Sequence, residues 1–261
     1  MQPEIDLLGI PIKTFGVAFA FAFLACGLIA HRRLKELGKP ADWAYEVMFA
    51  ALIGGLVGAR IDYLIQNFDK VKGDLLGNVF SGTGLVFIGG VIGGAVAVSL
   101  WAKWRGLLDA RLLDMAAPAI ALGYSIGRIG CQVSGDGDYG IASSLPWAMP
   151  YPHGTVPTMQ EVHPTPIYET LAMGLAAWWL WRMRDHVRPG MLFPLYLVIA
   201  GVERLLVEFI RRNPSELLGL TTPQVESVIA IVAGLAWLAI VRRRHGPIVT
   251  SSPTGPRPAP A

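Results

Sequence analysis

The sequence predicts an all-α membrane protein of seven transmembrane helices, with its N-terminus outside and its C-terminus in the cytoplasm. Three observations lead there. The chain of 261 residues is 53% hydrophobic and 16% charged, with a mean hydropathy of +0.47, far more apolar than a soluble domain of this length needs. Several apolar runs approach the roughly 20 residues that a helix needs to cross a bilayer. Lysines and arginines, finally, are divided unevenly between alternate loops. The net charge of +3 adds little by itself. Cys26 and Cys131 fall in different segments, so neither a disulfide framework nor a metal cage is expected.

The first element is a span at 14–31. Met1 to Leu8 carries two acids and no base, and the basic cluster follows the apolar run, the reverse of a secretory signal. Further spans are expected at 45–66, 82–102, 113–130, 165–182, 190–211 and 223–241. The loops expected inside hold Arg32, Arg33, Lys35 and Lys39, then Lys103, Arg105 and Arg111, then Arg182, Arg184 and Arg188, and finally Arg242 to Arg244. The other side holds only Lys13, Lys70, Lys72, Arg211 and Arg212. That asymmetry sets the orientation. The membrane domain thus covers 1–246, and the proline- and serine-rich 247–261 reads as a disordered tail. The outer loop 131–164 has no Lys or Arg but carries Trp147, Tyr151 and several prolines. Covering a substrate and merely connecting two spans both suit it.

Orientation gives meaning to the polar residues. Arg60, Arg128 and Arg204 come late in three spans that run outward, while Gly89, Gly90, Tyr168 and Glu169 come early in spans that run inward. One polar cluster near the outer side, built from at least four helices, is the expectation. Arginine within a bilayer costs several kcal/mol on insertion scales, so these need partners. Two readings fit: snorkelling with ion pairs to Asp62, Glu203, Glu208 or Glu169, or a phosphate site exploiting the guanidinium fork. Arg204, Glu208 and Arg211 follow i, i+4, i+7 spacing and would share a helix face, with Glu208 orienting one arginine while another meets the ligand. Glycine pairs four apart, including Gly54 with Gly58, Gly89 with Gly93 and Gly123 with Gly127, suit close helix packing or ligand approach. His163, with Thr165 a helix cap, is either a structural loop residue or an outer-rim base. Cys131 is either a small packing residue or a nucleophile.

Four stretches carry a resemblance. Gly127-Arg128-Ile129-Gly130 with Gly135, Asp136, Tyr139 and Gly140 resembles the signature of prolipoprotein diacylglyceryl transferases. His163 to Glu169, Gly54 to Arg60, and Glu203 to Arg211 are similar to further motifs of that family, so the resemblance covers nearly the whole chain. It implies transfer of a diacylglyceryl group from phosphatidylglycerol to a cysteine of a lipoprotein precursor, at the outer face of the bacterial cytoplasmic membrane. It implies no cofactor, metal or nucleic acid. Arg128 and Arg204 would meet the headgroup phosphate, with Glu208 and Arg211 supporting them, and His163 or Asp136 would take the thiol proton. Arg60, Gly89, Gly90, Gly127, Gly130, Cys131, Ser134, Gly140, Tyr168 and Glu169 would complete the substrate site. The chain differs from the family pattern at Phe15, where tyrosine is usual, at Ile88, where a histidine stands, and at Cys131 and Ser134, where asparagines stand. Asp136 replaces the usual glutamate. Three other functions share these features: a relative with a changed acceptor, a non-catalytic phospholipid-binding or carrier protein, and a thiol-handling protein that uses Cys131.

Overall fold

A computed structural model describes residues 1–7, 9–71, 73, 84, 86–214 and 219–249. The chain opens with an antiparallel ribbon, β1 (Glu4–Leu7) and β2 (Ile10–Lys13), in which Glu4 pairs with Lys13. Helices α1 (Thr14–Glu36), α2 (Trp43–Gln66), the short α3 (Phe68–Val71), α4 (Phe87–Trp104) and α5 (Ala110–Ser134) follow. A second ribbon, β3 (Met149–Tyr151) with β4 (Thr158–Val162), precedes α6 (Thr165–Met183), α7 (Leu192–Glu208) and α8 (Thr222–His245). The fold is helical, as expected, with two small two-stranded ribbons beside the helices.

Each expected span falls on a long helix. Positions 82, 83 and 85 of the third lie outside the described residues. By length and composition, α1, α2 and α8 are apolar enough to cross a membrane. The span expected at 190–211 is shorter as a helix: α7 ends at Glu208, so Arg211 lies beyond it in a bend. The common helix face expected for Arg204, Glu208 and Arg211 is therefore broken at the third residue.

Local chemistry fixes several helix ends. Thr14 donates to the carbonyls of Gln2 at 2.7 Å and Pro3 at 3.0 Å, tying the first ribbon to the start of α1. The Asp109 side chain caps α5 by accepting from the Arg111 amide at 2.8 Å. At its other end α5 stops at Gly135, whose φ of 59° is the left-handed conformation that glycine adopts freely. Thr221 and Gln224 form a reciprocal capping box on α8. Thr165, expected to cap α6, makes no cap bond; its hydroxyl donates instead to the Asp138 carbonyl at 2.5 Å.

Packing divides the molecule. Helices α2 and α4 form a tight pair, touching the remainder mainly through α1, while α1, α5, α6, α7 and α8 make the larger group. A Cβ on Gly58 would strike the Gly89 carbonyl, and one on Gly93 the Gly54 carbonyl, so the α2–α4 seam runs backbone against backbone. Among the described residues three apolar clusters are buried: a small one of Tyr139, Tyr151 and Val162 in the segment after α5, and two larger ones between the helices. One gathers Ala30, Leu34, Ala44, Trp101, Ala102, Leu112 and Met115, and the other Ala117, Ala121, Met173, Ala177, Leu180, Met191 and Leu192. Both lie toward the helix ends that adjoin the basic loops. Large apolar side chains such as Leu28, Ile65 and Leu175 point outward, as a helix bathed in lipid permits. The opposite helix ends are left to polar side chains, and the functional site forms there.

The seam makes a testable contrast. Gly93→Ala forces a methyl into the backbone of α2 and is expected to cost about 1–3 kcal/mol. Gly127→Ala, whose methyl would meet nothing within 4 Å, is expected to leave stability unchanged or slightly raised. Thermal unfolding of both variants in detergent checks this; equal melting temperatures would contradict the seam.

Candidate active site

The site is built on Glu169, one residue that lets no solvent reach it. It lies in the second turn of α6 with 0% exposure, where an ionised carboxylate survives only with partners. Its Oε1 accepts from the Tyr124 hydroxyl at 2.7 Å and lies 3.3 Å from Arg128 Nε, 3.3 Å from Arg204 Nη1 and 3.4 Å from Arg211 Nη1. Isolated guanidinium–carboxylate bonds run nearer 2.7–2.9 Å. One oxygen shared by three guanidiniums explains the longer distances. The arginines come from α5, from α7 and from the bend just after α7, so Glu169 is the charge that pins these elements together.

Asp138, in the loop after α5, is the second hub. One of its carboxylate oxygens pairs with Arg128 Nη1 and the other with Arg211 Nη2. Burial alone would raise the Asp138 carboxyl, but Arg128 and Arg211 hold it below its ordinary value. Two guanidiniums thus already grip an oxyanion between them. Glu208, also buried, lies 3.3 Å from Arg204 Nη2 while its Oε1 accepts from Asn213 and from Thr221, each at 2.7 Å. Through Thr221 the position of Arg204 is linked to the cap of α8.

The loop carrying Asp138 is stitched in place. The amides of Gly140 and Ile141 donate to the carbonyls of His163 and Ile210, both at 2.8 Å. A Cβ on Gly140 would collide with the Ile210 carbonyl, so glycine is required there by close approach. Arg212 donates to the Gly140 carbonyl at 3.1 Å and covers the Tyr139 ring.

Of the expected site residues, Arg128, Arg204, Arg211, Glu169 and Glu208 come together. Arg60 does not join them. It is buried on α2, donating to the Gly84 carbonyl at 2.8 Å and lying over the Tyr63 ring, within the separate α2–α4 pair. Gly89 belongs to that seam, and Gly90 has ordinary contact distance to Ala59. The single cluster of at least four helices expected from topology is therefore three helices and a loop, with Arg211 in place of Arg60. Gly130 packs against Ala18 and Phe15 of α1, whereas Gly127 faces open space.

His163 and Tyr168 form a chain at the rim. The His163 Nδ1 is 3.4 Å from the Tyr168 hydroxyl, which accepts from Trp147 at 2.7 Å. Cys131 is buried, with Sγ 3.8 Å from Arg128 Nη1 and within 4.8 Å of an Asp136 carboxylate oxygen. Burial pushes the Asp136 carboxyl above its ordinary value, and the charge of Asp138 adds to the rise. Ser134 is buried and structural, its carbonyl accepting from the Thr155 amide at 2.9 Å. Asp136 and Ser134 line a cleft of about 620 Å³ together with Lys13, Phe15 and Thr155. Cys131, Asp136 and Asp138 place donor atoms within 4.8 Å of one another, but two guanidiniums already match Asp138 and would repel a metal ion.

Sequence reasoning missed Tyr124 and Asp138. Tyr124 had a signal, one helical turn before Arg128, where its ring lies 4.9 Å beneath the guanidinium. Asp138 had none, because only the folded loop decides which acid of Asp136 and Asp138 faces the arginines.

These features define a helical membrane protein with an oxyanion-gripping arginine cluster at one end of its helices. Comparison with known proteins narrows that class. The family profile of prolipoprotein diacylglyceryl transferase matches residues 4–240. A Clostridium tetani protein named phosphatidylglycerol–prolipoprotein diacylglyceryl transferase is 32% identical, covering 94% of this chain and 99% of its own. A Chromohalobacter salexigens protein of that name is 33% identical, over 93% of this chain and 94% of its own. One from Vibrio vulnificus is 32% identical, over 90% and 89% respectively. The chain belongs to the prolipoprotein diacylglyceryl transferase family and is a transferase.

Glu169 gives the sharpest local test. Glu169→Ala leaves three guanidiniums without their shared anion and is expected to destabilise the protein by about 3–5 kcal/mol, as broken buried ion pairs do. Denaturant unfolding checks it; a loss below about 1 kcal/mol would contradict the role of Glu169 as the hub.

Proposed function

We propose that this chain moves the diacylglyceryl group of phosphatidylglycerol onto the cysteine thiol of a lipoprotein precursor, at the outer face of the bacterial cytoplasmic membrane. It crosses that membrane seven times, N-terminus outside, with the arginine cluster in the outer half. The observation that carries the proposal is the grip of Arg128 and Arg211 on the two Asp138 oxygens. Two guanidiniums, each on one oxygen of the anion, suit a phosphate equally well, with Asp138 standing where the headgroup oxyanion is to sit.

The reaction then follows from the chemistry of the groups. The thiol gives up its proton, and the sulfur attacks the diacylglyceryl carbon that bears the phosphate oxygen. A carbon–sulfur bond forms, the carbon–oxygen bond breaks, and glycerol phosphate leaves with the electron pair. Charge grows on the phosphate as it departs. Arg128, Arg204 and Arg211 are fixed cations that need no reorganisation to meet it. Asp136, whose burial favours accepting a proton, and His163 at the rim are the two bases offered to the thiol. Trp147 and Tyr168 are joined beside His163 at the rim.

The test is mass spectrometry of a reporter lipoprotein precursor incubated with phosphatidylglycerol and the protein. A diacylglyceryl mass gain is expected, falling by about 10²–10³-fold in rate for Arg128→Ala, the loss typical of removing one transition-state donor. No gain with folded wild-type protein would contradict the proposal. Because the Cys131 thiol lies 3.8 Å from Arg128 and within 4.8 Å of Asp136, Cys131→Ser separates direct transfer from a route through the protein's own thiol. Direct transfer predicts a retained rate, and abolished transfer would favour the covalent route.

A further inference from the structure

Glu203 is the one carboxylate at the site that the reaction above leaves unused. It immediately precedes Arg204 on α7 and is partly buried. It interacts electrostatically with Glu169, Arg128, Arg204 and Arg211. Yet its Oε1 is buried without a hydrogen-bond partner among the described residues. The arginines' bonds go to Glu169, Asp138 and Glu208 instead. Among the described residues, the ion pair that the sequence suggested for Glu203 is not formed. A buried acceptor left without a donor is destabilising, so such a group at an enzyme's site calls for a donor from the substrate.

The surroundings specify that donor. Tyr196 lies two turns away on the same helix and Tyr124 on α5, and both interact electrostatically with Glu203. The Glu203 carboxylate thus adjoins Arg204 along α7 and lies within electrostatic reach of both phenols and of the arginines. A ligand held by its phosphate in those arginines brings its neighbouring atoms to Glu203. For a phosphodiester of glycerol, those atoms include hydroxyl groups.

We infer that Glu203 accepts a hydrogen bond from a headgroup hydroxyl of the phospholipid and so selects glycerol-bearing headgroups. The inference rests on the reading of the arginine cluster as the headgroup site. A site built to receive a hydroxyl rejects an analogue that lacks it, because the buried polar group is then left unpaired.

The test compares binding of short-chain phosphatidylglycerol and phosphatidylpropanol, which keeps the phosphodiester but lacks the headgroup hydroxyls. Native mass spectrometry of the detergent-solubilised full chain reads binding without requiring turnover. Wild type is expected to prefer phosphatidylglycerol by about tenfold or more, the worth of one hydrogen bond to a charged acceptor. Glu203→Leu is expected to abolish that preference while binding phosphatidylpropanol as wild type does, and Glu203→Gln, of nearly the same shape, to weaken it. Equal binding of the two lipids by wild type overturns the inference. So does a preference that survives in both variants, or a Gln variant that loses both lipids alike. A slower transfer rate with unchanged lipid preference also overturns it, since Glu203 would then serve the acceptor thiol. Failure of the transferase reading looks different: wild type would show the lipid preference in binding yet add no diacylglyceryl mass to the reporter.

Discussion

Three guanidiniums cannot be gathered inside a protein of this kind without anions to hold them. Each alone would cost several kcal/mol at membrane depth, and together they would repel one another. Glu169 resolves this by sitting at their centre, wholly buried, with Tyr124 oriented onto the same oxygen. Asp138 and Glu208 complete the neutralisation from the loop and from the end of α7. The division of labour follows from where those acids are attached. Glu169 and Glu208 are fixed on helices, so they set the arginine positions. Asp138 is on a loop, so it is the carboxylate that an incoming phosphate can replace most readily.

The rest of the architecture serves that cluster. Apolar cores hold the helices together toward the basic-loop ends, leaving the opposite ends apart for polar side chains. The left-handed Gly135 turns the chain out of α5, and Gly140 brings the Asp138 loop hard against the end of α7. The signature stretch is thus half helix and half loop for a reason: the helix presents Arg128, and the loop returns an acid to it. The α2–α4 pair stands apart, joined by its own glycine seam.

Much of this was legible in the sequence. Apolar runs gave the seven long helices nearly to their ends, because length and hydropathy are strong local signals. Arg128, Arg204, Glu169 and Glu208 stood out because charges in apolar runs need a purpose. What failed was the step from depth to contact. Arg60 sits in an equivalent part of its span but belongs to another helix pair, and spacing along one chain cannot tell which helices are neighbours. Arg211 was placed on a helix that in fact ends at Glu208, and the bend lets it reach Asp138. The two ribbons and the switch of Thr165 from cap to loop anchor depend on tertiary contacts that no local pattern encodes.

The central claim is that Arg128 and Arg211 exchange the Asp138 carboxylate for a lipid phosphate. Solid-state NMR of arginine-¹⁵N-labelled protein with bound phosphatidylglycerol measures it directly, through ¹⁵N–³¹P dipolar dephasing. The expected result is a guanidinium-to-phosphorus distance of about 4 Å, with the close signal lost in Arg128→Lys and in Arg211→Lys. A bound lipid whose phosphorus shows no dephasing from any arginine would contradict the claim.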